Sequence, residues 1–417
     1  MTNSKTETQP SYGLMIAWIY WFICASFYFY QFILRVVPNL AGSSLAQDFS
    51  LTASSLGEVG FAWYVGYSLF QIPSGLLIDK FGPKKMMMIG ILLCAINTYI
   101  FAQTENFWLI KYVWVFNGIG SAFAFICCAK IAAVLFPSRL MSLVLSLTVC
   151  LGSISGTFSN YVIKSIIDDY SWRTVMEILA YSGVGILLLS FFVKTKTNTE
   201  ESTSYSVLKE VKHLLQNSQV MLVTLFAFCI YLPLSMIGDS WGSEFLVNVY
   251  GKEFSKDASF LYIGMIFGSI LYGVLSARID HVKGLLVSIT IPQLVCSVLL
   301  VWAPNFVGCA VASILFIIGF FNGGQMLMYT LAALNAPKKL GGTVSSIINM
   351  GTMVSGAIFI KLFGVLLDSL WEAPAEFVDG ARRVYEPISY QYAMSVVPLA
   401  MAVALCTLLF IKHKKTH

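Results

Sequence analysis

Gly75-Leu76-Leu77-Ile78-Asp79-Lys80-Phe81-Gly82-Pro83-Lys84-Lys85 is a short polar turn set between two long apolar runs. Its residue types have separate uses. Gly75 lets a neighbouring helix approach closely, Asp79 can accept from a helix N-terminus or pair with a basic side chain, and Gly82 supports a tight turn. A turn that was merely basic would need Lys80, Lys84 and Lys85 but not this spacing of Gly and Asp.

The flanking runs set the class. Of 417 residues, 57% are hydrophobic and 11% charged, with a mean hydropathy of +0.76. Soluble domains carry about 25% charge, and 26 basic plus 21 acidic residues cannot cover a soluble surface of this size. Polar punctuation leaves twelve apolar stretches, at about 13–46, 53–78, 86–103, 107–134, 141–165, 173–193, 219–248, 257–277, 284–303, 305–333, 343–369 and 391–411. A chain in hydrocarbon must satisfy its backbone internally, so all are expected to be helices. The expectation is an all-α membrane protein with 12 transmembrane helices.

That arithmetic leaves no room for a large extramembrane catalytic domain, and no enzyme is expected. There is no phosphate-cradling loop, and no spacing that would hold a metal or cofactor. The nine cysteines lie in apolar runs and read as small hydrophobes, and the four histidines lie outside the spans. The net charge of +5 implies no nucleic acid, because in a membrane protein the placement of basic residues matters more than their sum. The first apolar run is too long for a signal-peptide core and is expected to remain in the mature protein. Sixteen Lys and Arg fall on the side of the termini and seven opposite, which puts both termini in the cytoplasm by the positive-inside rule.

The longest polar stretch, 194–217, divides the chain into 1–193 and 218–417, with six spans in each half. Phe49, Ser50, Ala53, Ser54 and Leu56 recur at a constant offset of 205 as Phe254, Ser255, Ala258, Ser259 and Leu261. The expected architecture is two pseudo-symmetric six-helix bundles joined by a cytoplasmic linker, with a site at their interface near the bilayer midplane.

The turn at 75–85 resembles the signature loop of the major facilitator superfamily at every defining position. The resemblance implies a conformational latch made by Gly75, Asp79, Lys80, Gly82, Lys84 and Lys85. A degenerate copy runs from Gly273 to Gly284 with Arg278 and Asp280. The stretches Phe27–Pro38, Gln71–Leu77 and Gly118–Phe125 resemble the phagosomal nutrient transporters of intracellular bacteria and their lysosomal dipeptide-transporter relatives. That resemblance implies a monomeric carrier of amino acids, small peptides or organic acids in a bacterial inner membrane, coupled to protons. The chain departs from the superfamily in one place: Trp114 stands where an arginine often precedes the glycine of the fourth helix, so no role of that arginine carries over.

Arg35 is the first candidate site residue. A charge at membrane depth costs several kcal/mol unless it is paired or lines a wet cavity. With the first helix running to about Ala46 and Pro38 as a kink, Arg35 stands too far from its end to snorkel. Gln31 and Tyr28 precede it at i−4 and i−7 on the same face. A guanidinium forks onto a carboxylate or phosphate, so the expected substrate carries an acid group. Anion carriers of the organophosphate and anion–cation groups resemble this chain in placing an arginine here.

The offset of 205 carries Arg35 to Ser240, beside Asp239. Facing Arg35, Asp239 would bind a substrate ammonium or take a proton; the alternative is a permanent structural pair with Arg35 or Lys130. Trp241, Tyr231 and Ser235 would wall the same pocket. Lys130 is a substrate ligand or a snorkelling side chain, and Glu58 a titrating group or a solvated one. Asn322, Gln325 and Tyr329 form one polar stripe and Asn349 and Thr352 another, either lining the pocket or joining helices; Tyr64 and Tyr67 read similarly. Lys361 and Asp368, seven apart, are expected to bridge each other. The function implied is a proton-coupled secondary importer of a small carboxylate-bearing nutrient, such as an amino acid or dipeptide, working by alternating access. A carrier of a larger organic acid or carboxylate siderophore, a drug or siderophore exporter, and a non-transporting receptor or scaffold remain as alternatives.

Overall fold

The structure, a computed structural model, describes residues 13–193, 211–276, 281–304, 308–336, 341–371, 378–379, 382–383 and 385–412. In the first half α1 (Leu14–Leu40) and the short α2 (Gly42–Asp48) precede α3 (Ala53–Phe81) and α4 (Pro83–Gln103). Then come α5 (Phe107–Ser121), α6 (Phe123–Leu135) and α7 (Ser138–Phe158), which passes through a π turn at Ser159–Ile163 into α8 (Lys164–Asp169), and α9 (Trp172–Ser190). The second half holds α10 (Ser218–Ile230), α11 (Gly242–Val249), α12 (Ser259–Ser276), α13 (Val282–Trp302) and α14 (Cys309–Asn322). It ends with α15 (Leu327–Asn335), α16 (Gly341–Ser369), α17 (Pro387–Met394) and α18 (Val396–Phe410). A two-residue pairing, Val378–Asp379 with Arg382–Arg383, lies between α16 and α17.

Among the described residues, ten helical stretches are long and apolar enough to cross a bilayer, against the twelve expected. Those outside the ten are α3 and the α7–α8 run; α3 is long enough, at 29 residues, but carries Glu58, Gln71, Asp79 and Lys80. Phe22, Leu69, Tyr181 and Leu399 are each more than 60% exposed on the outside of the molecule. Such a sheath of bare apolar side chains needs lipid as its solvent, and the protein is a multi-pass membrane protein.

The first helix is shorter than expected. It ends at Leu40, where Ala41 leaves helical geometry, and a separate turn of helix follows. Arg35 therefore lies five residues from the end of α1 rather than eleven, yet it is only 7% exposed.

Similar contacts hold each half together. Lys84, at the start of α4, donates to the last carbonyls of α9 through Phe191 O at 2.8 Å, and Lys283, at the start of α13, donates to Ile411 O at the end of α18 at 2.7 Å. Both ammonium groups sit at the negative end of a helix dipole. Within the first half α3 and α5 cross at Gly66 and Gly118, so closely that a Cβ on either would collide with a carbonyl of the other helix, Val115 O or Trp63 O.

The halves meet mainly along α3 with α16 and α7 with α12. The α3–α16 contact is made at the ends remote from the termini. There the Ser54 amide donates to Asp368 Oδ2 at 2.9 Å, and the Ala53 amide to the Tyr385 hydroxyl at 3.0 Å. The first-turn amides of α3 lack intrahelical acceptors, and side chains of the other half supply them. The expected Lys361–Asp368 bridge is not made: Asp368 is engaged by Ser54 and Tyr385, and Lys361 reaches Glu58 at 3.4 Å. Of the stretch 194–217, residues 194–210 lie outside the described residues, as do Arg278 and Asp280.

Toward the terminal face, a Cβ at Gly75 would touch none of the described residues within 4 Å. Among them, the close approach expected there does not occur in this conformation. Overpacking costs about 1–3 kcal/mol, so Gly66→Ala should lower the thermal midpoint of the detergent-solubilised protein by several degrees, and Gly75→Ala should leave it unchanged. Equal midpoints for the two variants would contradict the packing described.

Candidate functional site

A cavity of about 530 Å³ lies between the two halves. Its wall includes Tyr28, Gln31 and Arg35 of α1, Tyr67 and Gln71 of α3, and Gln325 and Asn349 of the second half. It occupies the middle and terminal part of the molecule, and the α3–α16 contact closes it on the opposite side.

Its apex is an ion pair between the halves. Arg35 Nη2 stands 3.1 Å from Asp239 Oδ1, with side-chain exposures of 6% and 0%. Arg35 Nη1 donates to the Tyr231 hydroxyl at 3.1 Å, and the guanidinium lies 3.7 Å from the centre of the Phe32 ring, a cation–π distance. Asp239 also accepts from Tyr64 of α3 at 2.6 Å and from Tyr262 of α12. Its backbone carbonyl accepts from Asn39 Nδ2 at 2.8 Å. The carboxylate is thus held by one cation and two hydroxyls, drawn from both halves. A buried pair survives only when its remaining lone pairs are satisfied in this way.

Helix α10 stops at Ile230, and Pro233 introduces a π turn at Leu234–Gly238. Pro233 has no N–H to give to a continuing helix, and the widened turn reorients the chain so that Asp239 meets Arg35. Irregular backbone at membrane depth is tolerated where protein encloses it or it lines a cavity. A comparable break at Gly323–Met326 carries Gln325 into the cavity wall between α14 and α15.

Several candidates lie elsewhere. Lys130 does not reach the cavity: its ammonium pairs with Asp79 at 2.7 Å inside the first half, because α6 carries it to the terminal face. Tyr64 lies behind the wall, bonded to Asp239. Trp241 donates to Ile360 O at 3.0 Å and stacks on Phe363, which makes it part of the α11–α16 packing. Asn322 joins helices, donating to Ile230 O and Gln293 Oε1 at 3.0 Å each. Glu58 is neither free nor near the cavity; it pairs with Lys111 at 2.8 Å and with Lys361. Tyr28, Gln31, Arg35, Tyr67, Gln325 and Asn349 do line the wall, Asn349 accepting from Tyr329 at 3.1 Å.

Asn39 and Tyr262 join the site from outside the sequence candidates, as does Gln71, which the sequence offers only as part of the Gln71–Leu77 stretch. Asn39 continues the spacing of Gln31 and Arg35 at i+4 and was findable on that ground. Tyr262 carries a hydroxyl inside an apolar run, and buried tyrosines usually have a partner.

The sequence model of the Major Facilitator Superfamily matches residues 16–360. The chain belongs to that superfamily. It is 25% identical over 367 residues to the protein named "Probable sulfoacetate transporter SauU" of Cupriavidus necator, covering 82% of this chain and 85% of that one. It is 24% identical over 360 residues to the "Probable hexose phosphate transport protein" of Chlamydia trachomatis serovar D, covering 76% and 78%. A solved D-xylose–proton symporter shares its fold, with a TM-score of 0.74 over 95% of this chain and 98% of that one, at 12% identity. The chain is a transporter of that superfamily, and a buried pair of opposite charges at the apex of a cavity between two halves suits a carrier whose halves must part.

Breaking a buried ion pair costs about 3–5 kcal/mol, whereas replacing both partners is often near neutral. Arg35→Met should therefore lower the thermal midpoint sharply, and Arg35→Met combined with Asp239→Leu should regain more than half of the loss. A double variant no more stable than the single one would show that Asp239 does not depend on Arg35.

Proposed function

We propose that the chain moves a small organic anion together with a proton across a bacterial inner membrane, its two six-helix bundles (1–193 and 218–417, joined through 194–217) alternating about Arg35. The proposed topology has twelve spans and cytoplasmic termini, so the cavity described belongs to the inward-facing state. The supporting observation is the contest for one guanidinium. Arg35 already holds Asp239, and an incoming carboxylate can take that place only if Asp239 is relieved of its charge. Two carboxylates around one cation would leave a net negative charge beside Asp239, whose side chain is fully buried; a proton on Asp239 restores neutrality. Substrate and proton then enter together.

This arrangement supports an anion more than a zwitterion. Arg35 faces the cavity, whereas Asp239 is enclosed by tyrosines and presents nothing to a substrate ammonium. The amino-acid and dipeptide reading rests on the resemblance of Phe27–Pro38, Gln71–Leu77 and Gly118–Phe125 to phagosomal nutrient transporters. The named substrates of the two relatives, sulfoacetate and hexose phosphate, are anions and support the broader class. The cavity volume falls in the usual range of about 300–1,000 Å³ for small-molecule sites, which also accommodates a larger organic acid.

The proposal is tested by uptake into proteoliposomes under an imposed proton gradient, with amino acids, dipeptides, hydroxy acids, a carboxylate siderophore, sulfoacetate and a sugar phosphate as substrates. Arg35→Ala is expected to reduce uptake of the accepted anion roughly a hundredfold. Asp239→Asn is expected to retain exchange of substrate across the membrane but to lose accumulation against a gradient. Full transport by Arg35→Ala, or accumulation by Asp239→Asn, would overturn the assignment. Binding without flux of any compound would favour a receptor.

A further inference from the structure

Arg35 is the sole charged side chain among the described residues that line the cavity. The rest of the polar wall is neutral among the described residues. Four of its buried polar atoms have no partner within the protein: Arg35 Nε, Gln31 Oε1, Gln71 Nε2 and Gln325 Oε1. The three glutamines are 2%, 4% and 2% exposed. An unpaired polar atom buried this deeply is costly unless water or a ligand completes it, and an amide can turn to present either its oxygen or its nitrogen.

These observations differ in kind from those that place the carboxylate. Arg35 sets the number of negative charges the site can neutralise, and the glutamines set what the rest of the substrate must offer. Gln31 stands one helical turn from Arg35 on the same face. A carboxylate on Arg35 brings the group on its neighbouring carbon toward Gln31. Gln71 comes from α3, and Gln325 from the break between α14 and α15 on the other half, so a substrate spanning them touches both halves.

We propose that the cavity selects an organic monoanion bearing uncharged hydrogen-bonding groups such as hydroxyls or amides, and rejects dianions, with Gln31, Gln71 and Gln325 as specificity-determining residues. The inference rests on the anion–proton reading above and narrows it. With Asp239 protonated, one carboxylate on Arg35 leaves the apex neutral; a second charge on a short molecule finds no counter-ion among the described residues of the wall and loses part of its hydration. The chain would then part from the substrates in its relatives' names, because sulfoacetate carries a sulfonate and a carboxylate and hexose phosphate a doubly ionisable phosphate.

The test uses wild-type protein in proteoliposomes under a proton gradient, with glycolate, lactate, gluconate and N-acetylglycine as monoanions, propionate as a monoanion without a further polar group, and sulfoacetate and glucose 6-phosphate as dianions. At least one hydroxylated or amide-bearing monoanion should be accumulated, with propionate and both dianions at least about tenfold poorer. Gln325→Ala and Gln71→Ala should each narrow the preference over propionate, and Gln325→Arg should raise sulfoacetate uptake relative to the monoanions. Sulfoacetate or glucose 6-phosphate handled as well as the best monoanion would overturn the inference while leaving the anion carrier standing, and the wild-type measurement alone decides this even if a variant does not fold. Alanine variants that fold and keep the wild-type preference would remove the glutamines from the specificity role. If no anion of either class moves, the anion–proton reading falls with it.

Discussion

One buried carboxylate decides how the two halves relate. Asp239 belongs to the second half, yet the cation that neutralises it and one of its two tyrosine donors come from the first. Pulled away from Arg35 without replacement, the carboxylate would be a lone charge enclosed by protein, at a cost of several kcal/mol. The closed side of the molecule is therefore stable while that charge is compensated, and anything that compensates it differently changes the balance between conformations. In the proposed mechanism a proton on Asp239 makes that change as an anion takes the place of Asp239 on Arg35.

The other ion pairs fall into a pattern around this centre. Lys361 and Glu58 join α16 to α3 across the halves on the face remote from the termini, where the packing is tight. Lys130 and Asp79 pair within the first half on the terminal face, where Gly75 has none of the described residues against it. In this conformation the signature turn has turned its acid inward, toward its own bundle. Its partner is the very lysine that the sequence suggested for substrate.

Much of the fold was legible because hydrophobic length and polar punctuation are one-dimensional signals. The helices at 83–103, 282–302 and 396–410 fall near where composition alone puts them. The shortfall at α3 has the same origin, since Glu58, Gln71, Asp79 and Lys80 dilute the apolar signal of the helix that carries them. The Arg35 and Asp239 candidates were legible because a charge at membrane depth needs a reason. Their depth was not, since the break at Ala41 leaves no mark in hydropathy. Lys130 and Trp241 were misplaced for a different cause: helical spacing says which residues share a face, but not which neighbour that face meets. Lys130 found an acid on α3 and Trp241 a carbonyl on α16, both by packing between helices that no local pattern records.

The amides of Ala53 and Ser54 begin α3 but find their acceptors on Tyr385 and Asp368 of the other half. Parting the halves on that face hands these donors, with the Asp368 carboxylate, to water. Opening that side would thus be an act of hydration as well as of movement, and the water taken up would make the balance of conformations a function of osmotic pressure.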